Sequence, residues 1–173
     1  MKSSRLLYVL LASLLLILAG CGGQSNQAGQ APQNNQEHSE HQSQAANGFD
    51  LWETTASINQ LPTFLDKVDP RIKDMYRVAG DNLDVLEWMP CYCGCADSSD
   101  HKHNGNCFVK EVKADGSVIW DDHGTRCGTC MEIAAISAQM KQEGKSLKEI
   151  RTYIDDTYKE GYSKPTPTPM PQS

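Results

Sequence analysis

Between residues 70 and 160 most apolar positions recur with the period of a helix. Ile72, Met75, Tyr76 and Ala79 stand at i, i+3, i+4 and i+7 behind Asp69-Pro70. That spacing predicts a helix with Asp69 as N-cap and Pro70 at the first position, ended by Gly80. Asp81 or Asn82 can cap a second, short helix that turns Leu83, Leu86 and Trp88 or Met89 inward. Pro90 stops it, because the residue before a proline is pushed out of the α region. Further on, Cys130, Ile133, Ala134 and Ser137 share one helical face, with Ile136 and Met140 beside it and Gly144 as the stop. Ser146-Leu147-Lys148-Glu149 is a capping box, and Leu147, Ile150, Ile154 and Tyr158 make one face of a last helix ending near Gly161. Strand-like runs are confined to Phe108–Val112 and Val118–Trp120. They flank Ala114-Asp115-Gly116, a hairpin signal. Asp97–Asn106 is polar and reads as a loop. The fold class is therefore mainly α, a small helical domain over 49–162 with a short β-hairpin and a cysteine-rich loop site.

Neither end fits this pattern. Met1–Arg5 carries two positive residues, and Leu6–Leu18 is nearly continuous Leu, Ile, Val and Ala. That run suits the core of a signal peptide and is too short to span a bilayer as a mature helix. Leu18-Ala19-Gly20-Cys21 resembles a bacterial lipobox, in which the cysteine is lipidated and becomes the mature N-terminus. Residues 1–20 are thus expected to be a lipoprotein signal peptide and Cys21 a lipid anchor. Residues 21–48, rich in Gln, Asn, Ser and Gly, form a disordered linker whose His38 and His41 are solvated. Residues 163–173, with Pro165, Pro167, Pro169 and Pro171, are expected to be a polyproline-like, solvated and disordered tail. This organisation places the domain on the extracytoplasmic face of the cell membrane, with the membrane as its partner through Cys21.

Charge removes some functions. The chain has 173 residues and a formal charge of -6, and it becomes more acidic once Lys2 and Arg5 are cleaved off. No Lys/Arg cluster offers a footprint for nucleic acid. No GxSxG elbow, HExxH, phosphate-cradling glycine loop or paired-carboxylate signature is present. No catalytic residue is assigned, and a non-enzymatic role is favoured.

The chemistry lies in the thiols. Six of the seven cysteines fall within about forty residues, as Cys91, Cys93, Cys95, Cys107, Cys127 and Cys130, with His101, His103 and His123 among them. In an extended segment residues two apart point the same way, so Cys91, Cys93 and Cys95 can present three sulfurs to one side, and Gly94 lets the backbone bend. Cys127-Gly128-Thr129-Cys130 has the spacing of a metal knuckle, ahead of a helix whose dipole favours thiolates. Cys91, Cys93, Cys127 and Cys130 lead as metal ligands; Cys95, Cys107, His101 and His123 come second, and His103 has no assigned role. Soft thiolates select copper(I) or zinc over hard cations. Two other readings stay open. The CxCxC run and the CxxC could exchange thiols and disulfides, or the six cysteines could form a purely structural disulfide framework. A thioredoxin fold is excluded, because the chain beyond the CxxC is nearly all helical, with no further strands.

The run Met89-Pro90-Cys91-Tyr92-Cys93-Gly94-Cys95 closely resembles the signature of the PCYCGC-motif lipoproteins of Gram-positive bacteria, also grouped as CYCXC proteins. The likeness continues through His101-Lys102, Cys107-Phe108, His123-Gly124, Cys127-Gly128-Thr129-Cys130 and Gly144-Lys145-Ser146, over about residues 60–160. It implies an extracytoplasmic, lipid-anchored chain in a family without an established biochemical function. Some of these proteins carry selenocysteine, which would favour redox chemistry; here the motif holds only cysteine.

Overall fold

A computed structural model describes residues 44–46, 50–94 and 96–172, the side chains of 44–46 and 96–97 excepted. The expected signal peptide, the lipid anchor Cys21, most of the 21–48 linker and Cys95 lie outside the described residues. The chain forms β1 (Gln44–Ala46), β2 (Asp50–Thr55), α1 (Pro70–Asp81), α2 (Leu83–Leu86), α3 (Ala96–Ser99), β3 (Val109–Val112), β4 (Val118–Asp121), α4 (Gly128–Gln142) and α5 (Leu147–Tyr158). Short 3-10 turns cover Thr63–Lys67, Asn104–Cys107 and Asp122–Arg126. Among the described residues, no helix is long and apolar enough to cross a membrane.

The helices form where the apolar spacing places them. Asp69 accepts the Arg71 N–H at 2.9 Å and Pro70 opens α1, which buries Tyr76 and Ala79. The helix does not stop at Gly80 as expected but continues to Asp81. Gly80 sits against Ile58 and Trp120, so its small size serves packing rather than termination. α4 buries Cys130, Ile133, Ala134 and Ser137, and Gly144 ends the segment at φ +79°. Ser146 and Glu149 complete the capping box of α5, which buries Ile150, Ile154 and Tyr158. The region 97–106 is more ordered than a loop, with α3 at its start and a 3-10 turn delivering Cys107.

The hairpin of β3 and β4 is present, turned by Gly116 at φ +87°. The sheet is wider than the sequence pattern suggests, an antiparallel set in the order β1-β2-β4-β3. The apolar pattern missed β2 because its inward positions are Asp50, Glu53 and Thr55. Each of these polar groups has a buried task. Glu53 accepts from the backbone of Thr63 at 2.7 Å and of Phe64 at 3.3 Å, which caps the 3-10 turn. Thr55 Oγ1 accepts the Trp120 indole N–H at 2.8 Å, and Asp50 faces His123.

Two apolar clusters share α4 as a wall. One gathers Leu65, Tyr76, Phe108, Val118 and Trp120, and its remaining members include Cys91, Cys107, Cys127 and Cys130. The other holds Val85, Met89, Tyr92, Ile133, Ile150, Ile154 and Tyr158. Tyr76 and Phe108 meet edge to face at 5.2 Å, a pairing that adds about 0.5–1.5 kcal/mol beyond area burial. The cysteines are thus built into the apolar interior.

The C-terminal segment takes no helix or strand, as its prolines require, but it is not solvated as expected. In Pro165-Thr-Pro-Thr-Pro169 the threonines face inward, with Thr166 and Thr168 buried and the prolines exposed. Prolines have no N–H to satisfy, so the alternation leaves backbone N–H donation to the threonines. Thr166 N donates to Cys91 O at 3.0 Å, and its hydroxyl accepts the Cys91 N–H at 2.9 Å. Thr168 donates to Lys102 O at 2.7 Å. Arg151 on α5 donates to Trp88 O at 3.0 Å, Thr168 O at 3.2 Å and Pro169 O at 2.8 Å. The segment is a strap along the Cys91 backbone.

Gly124 is the most closely packed of the described glycines. A Cβ there would lie 2.7 Å from a Phe108 ring carbon and 2.9 Å from Cys107 O. Overpacking of this kind costs about 1–3 kcal/mol, so Gly124→Ala should lower unfolding stability by that amount in denaturant titration. An unchanged midpoint would show that the loop is free to move away.

Candidate metal centre

Three stretches of chain deliver the thiols among the described residues. Pro90 leaves the backbone extended at Cys91-Tyr92-Cys93, so the side chains alternate as the pleat requires. Cys91 and Cys93 turn to the first apolar cluster. Tyr92 turns to the second, stacks on Tyr158 at 5.7 Å and donates to Asp155 at 2.7 Å. Gly94, at φ +83°, turns the chain away; a Cβ there would press on Ser163 at 3.0 Å. Cys107 ends the 3-10 turn whose Asn104 bonds both flanks of the site, donating its N–H to Met89 O at 2.7 Å and its amide to Cys130 O at 3.2 Å. Cys127 caps α4, and Cys130 lies in that helix's first turn.

The sulfurs converge. Cys130 Sγ lies 2.8 Å from Cys107 Sγ, 3.0 Å from Cys127 Sγ, 3.2 Å from Cys91 Sγ and 3.7 Å from Cys93 Sγ. Cys91 Sγ is also 3.0 Å from Cys93 Sγ and 3.8 Å from Cys107 Sγ. The five are thiols rather than disulfides, and all but Cys93 are buried. Their separations exceed the S–S bond of about 2.05 Å. They approach or fall below the roughly 3.8 Å edge that four sulfurs make around an ion at about 2.3 Å. The sets Cys91, Cys107, Cys130 and Cys93, Cys127, Cys130 each bring their ligand atoms within 4.8 Å of one another. The arrangement can hold a metal ion, and α4 adds its N-terminal dipole in favour of thiolate.

Charge is unevenly shared among the sulfurs. Hydrogen bonds from Cys107 first, then Cys127, Cys130 and Cys91, hold the Cys93 pKa well below the ordinary thiol value. The same contacts, Cys107 again first, together with burial, push Cys130 up. Two thiolates about 4 Å apart repel by about 4 kcal/mol at an effective dielectric of 20, so without a cation the clustered sulfurs do not all ionise together. Negative charge then rests on Cys93, the partly exposed member. A bound cation reverses this, because ligand thiols must give up their protons to it.

The two histidines expected as ligands take different positions. His101 is buried with Nδ1 3.6 Å from Cys107 Sγ and Nε2 3.4 Å from Asp121 Oδ2. His123 meets a carboxylate instead among the described residues; its Nδ1 lies 3.0 Å from Asp50 Oδ1, and its ring meets the His101 ring edge on at 5.0 Å. His103, given no role, is kept neutral by burial, its pKa pushed down to about 4. Asp50, Asn104, Asp121 and Thr166, which shape the surroundings, were not among the expected residues. Asp121 sits beside His123 in Trp120-Asp121-Asp122-His123, a polar run that closes a strand and could have drawn notice. Asp50 lies in a strand with no apolar signature.

In the reduced, metal-free chain Cys93 should alkylate first. Because its thiolate is favoured below the usual range, its rate should stay nearly flat from pH 8 to pH 6. An ordinary thiol loses about tenfold per unit there. Peptide mapping after brief iodoacetamide treatment checks this; first labelling of another cysteine, or a rate that titrates like a free thiol, would contradict it.

No curated protein and no solved structure matches the chain. A family model described as a protein of unknown function with PCYCGC motif matches residues 10–171. The hexapeptide Pro90-Cys91-Tyr92-Cys93-Gly94-Cys95, the motif of that description, supplies two of the five converging sulfurs, and the chain belongs to this PCYCGC-motif family.

Proposed function

We propose that the chain binds a thiophilic metal ion, copper(I) or zinc, at the five-cysteine cluster, and stores, delivers or senses it at the outer face of a cell membrane. The observation that carries this reading is the contact of Cys130 Sγ with four other sulfurs inside an apolar interior. A packed core does not need five soft, reactive groups at one point, whereas a soft cation does. The lipobox at Leu18–Cys21 supports anchoring through a lipid on Cys21. Residues 44–46, expected in the linker, pair with β2 as β1, so a tether would be confined to 21–43, with a reach of about 25 Å by random-coil scaling. Outside the cytoplasm neighbouring thiols oxidise, and a bound ion protects them.

One observation favours a second reading. Cys127 and Cys130 lie 3.0 Å apart across the first turn of α4, and Cys93 offers a partly exposed thiol beside them. Such a pair can lose two protons and two electrons to a disulfide of a partner protein, forming its own S–S bond while the partner is reduced to two thiols.

Both readings are tested on the full-length chain extracted from membranes without oxygen, by elemental analysis with thiol counting. At least one copper or zinc ion per chain, lost in Cys130→Ser, is expected, and Cys21→Ala should move the protein to the soluble fraction. No metal, with a Cys127–Cys130 disulfide that cycles reversibly, would replace the metal reading by the redox one. A chain that stays membrane-bound in Cys21→Ala would show that no lipid on Cys21 anchors it.

A further inference from the structure

Next to the sulfurs lies a second set of ligand-type side chains with different chemistry. Asp50 on β2, Asp121 at the end of β4 and His101 each offer an atom within 4.8 Å of the other two. Their exposures are only 6%, 1% and 2%. His101 Nε2 and Asp121 Oδ2 stand 3.4 Å apart, long for an N–H···O bond. It is the spacing of two ligands about 2.1 Å from one tetrahedral ion, which stand roughly 3.4 Å apart.

The carboxylates are oriented by donors as metal-bound carboxylates are. Asp121 Oδ2 accepts the Trp52 indole N–H at 2.7 Å, and its Oδ1 accepts the His123 backbone N–H at 2.8 Å. Asp50 Oδ1 meets His123 Nδ1 at 3.0 Å and pairs with Arg126. Arg126 also pairs with Asp122 at 2.8 Å. Across these pairs the carboxylates of Asp50, Asp121 and Asp122 meet the guanidinium of Arg126 and two imidazoles. Asp50 and Asp121 are buried, and buried charge is paired or coordinates a metal.

We propose that Asp50, His101 and Asp121, with His123 beside them, form a second cation site, for a divalent first-row ion that prefers oxygen and nitrogen ligands. Carboxylate and imidazole suit zinc, manganese or ferrous ions, whereas the sulfur cluster selects softer ones. An ion on His101 Nε2 leaves the ring's remaining proton on Nδ1, directed at Cys107 Sγ 3.6 Å away. His101 then acts as a ligand of the second site and a hydrogen-bond donor to the first. The ligand atoms of this site are distinct from the thiolates, and the site does not depend on the thiolate reading.

Cobalt(II) titration of the oxygen-free, full-length chain tests it, because thiolate-bound cobalt absorbs strongly in the near ultraviolet and cobalt on oxygen and nitrogen does not. Two equivalents are expected, the second adding only weak visible bands. Asp50→Asn should lose the second equivalent and keep the near-ultraviolet band. Should that variant fail to fold, Cys93→Ser with Cys127→Ser keeps the test open: the near-ultraviolet band should fall while one weakly absorbing equivalent stays. A single thiolate-bound equivalent in the unaltered chain would overturn the proposal, as would a second equivalent indifferent to Asp50→Asn in a folded protein. No weakly absorbing equivalent in the double cysteine variant would overturn it too. Loss of the near-ultraviolet band alone would strike the thiolate reading and leave this one standing.

Discussion

Segments far apart in sequence end at one sulfur atom. Cys130 Sγ touches the thiols of Cys91, Cys93, Cys107 and Cys127, and reaching them requires the extended run after Pro90, the 3-10 turn at Asn104–Cys107 and the first turn of α4 to close on one point. The surrounding devices hold those pieces in register. Asn104 ties the Met89 carbonyl to that of Cys130, and Gly124 lets the loop after β4 lie against Cys107 and Phe108. The threonine strap satisfies both backbone groups of Cys91. Five thiols at these distances repel one another once ionised. The fold therefore gathers groups that only protons, or a cation, can hold together.

The helical part of the domain was legible because its signals are local. Asp69-Pro70, the capping box at Ser146 and the buried face Cys130, Ile133, Ala134, Ser137 each depend on residues within a few turns of one another. The extended CxC was legible for the same reason, since alternation alone sends Cys91 and Cys93 one way and Tyr92 the other. What escaped was non-local or inverted. β2 turns Asp50, Glu53 and Thr55 inward, so its polar groups are explained only by Thr63, Trp120 and His123, which lie elsewhere in the chain. The proline-rich end reads as solvated until the carbonyls of Cys91 and Lys102 appear beside its threonines. His101 and His123 were recognised as ligand types, but their carboxylate partners sit on separate strands. No spacing rule joins them.

These features give the interior a graded character. One side is apolar and sulfur-rich, the other a network of carboxylates, imidazoles and a guanidinium, and His101 lies between them with one nitrogen toward each. A thiolate centre with a hydrogen-bonded imidazole at its edge is suited to hold a soft ion without exposing it. Cys93, partly open to solvent and favoured as the thiolate, is the member through which an ion would enter and leave under the proposed function.

X-ray absorption at the metal edge of the full-length chain, extracted without oxygen, decides whether the cysteine cluster is a metal centre. Thiolate coordination predicts a first shell of sulfur scatterers at about 2.3 Å. Absence of any metal edge, with a sulfur spectrum of disulfides, would contradict it, as would a metal surrounded by light atoms alone.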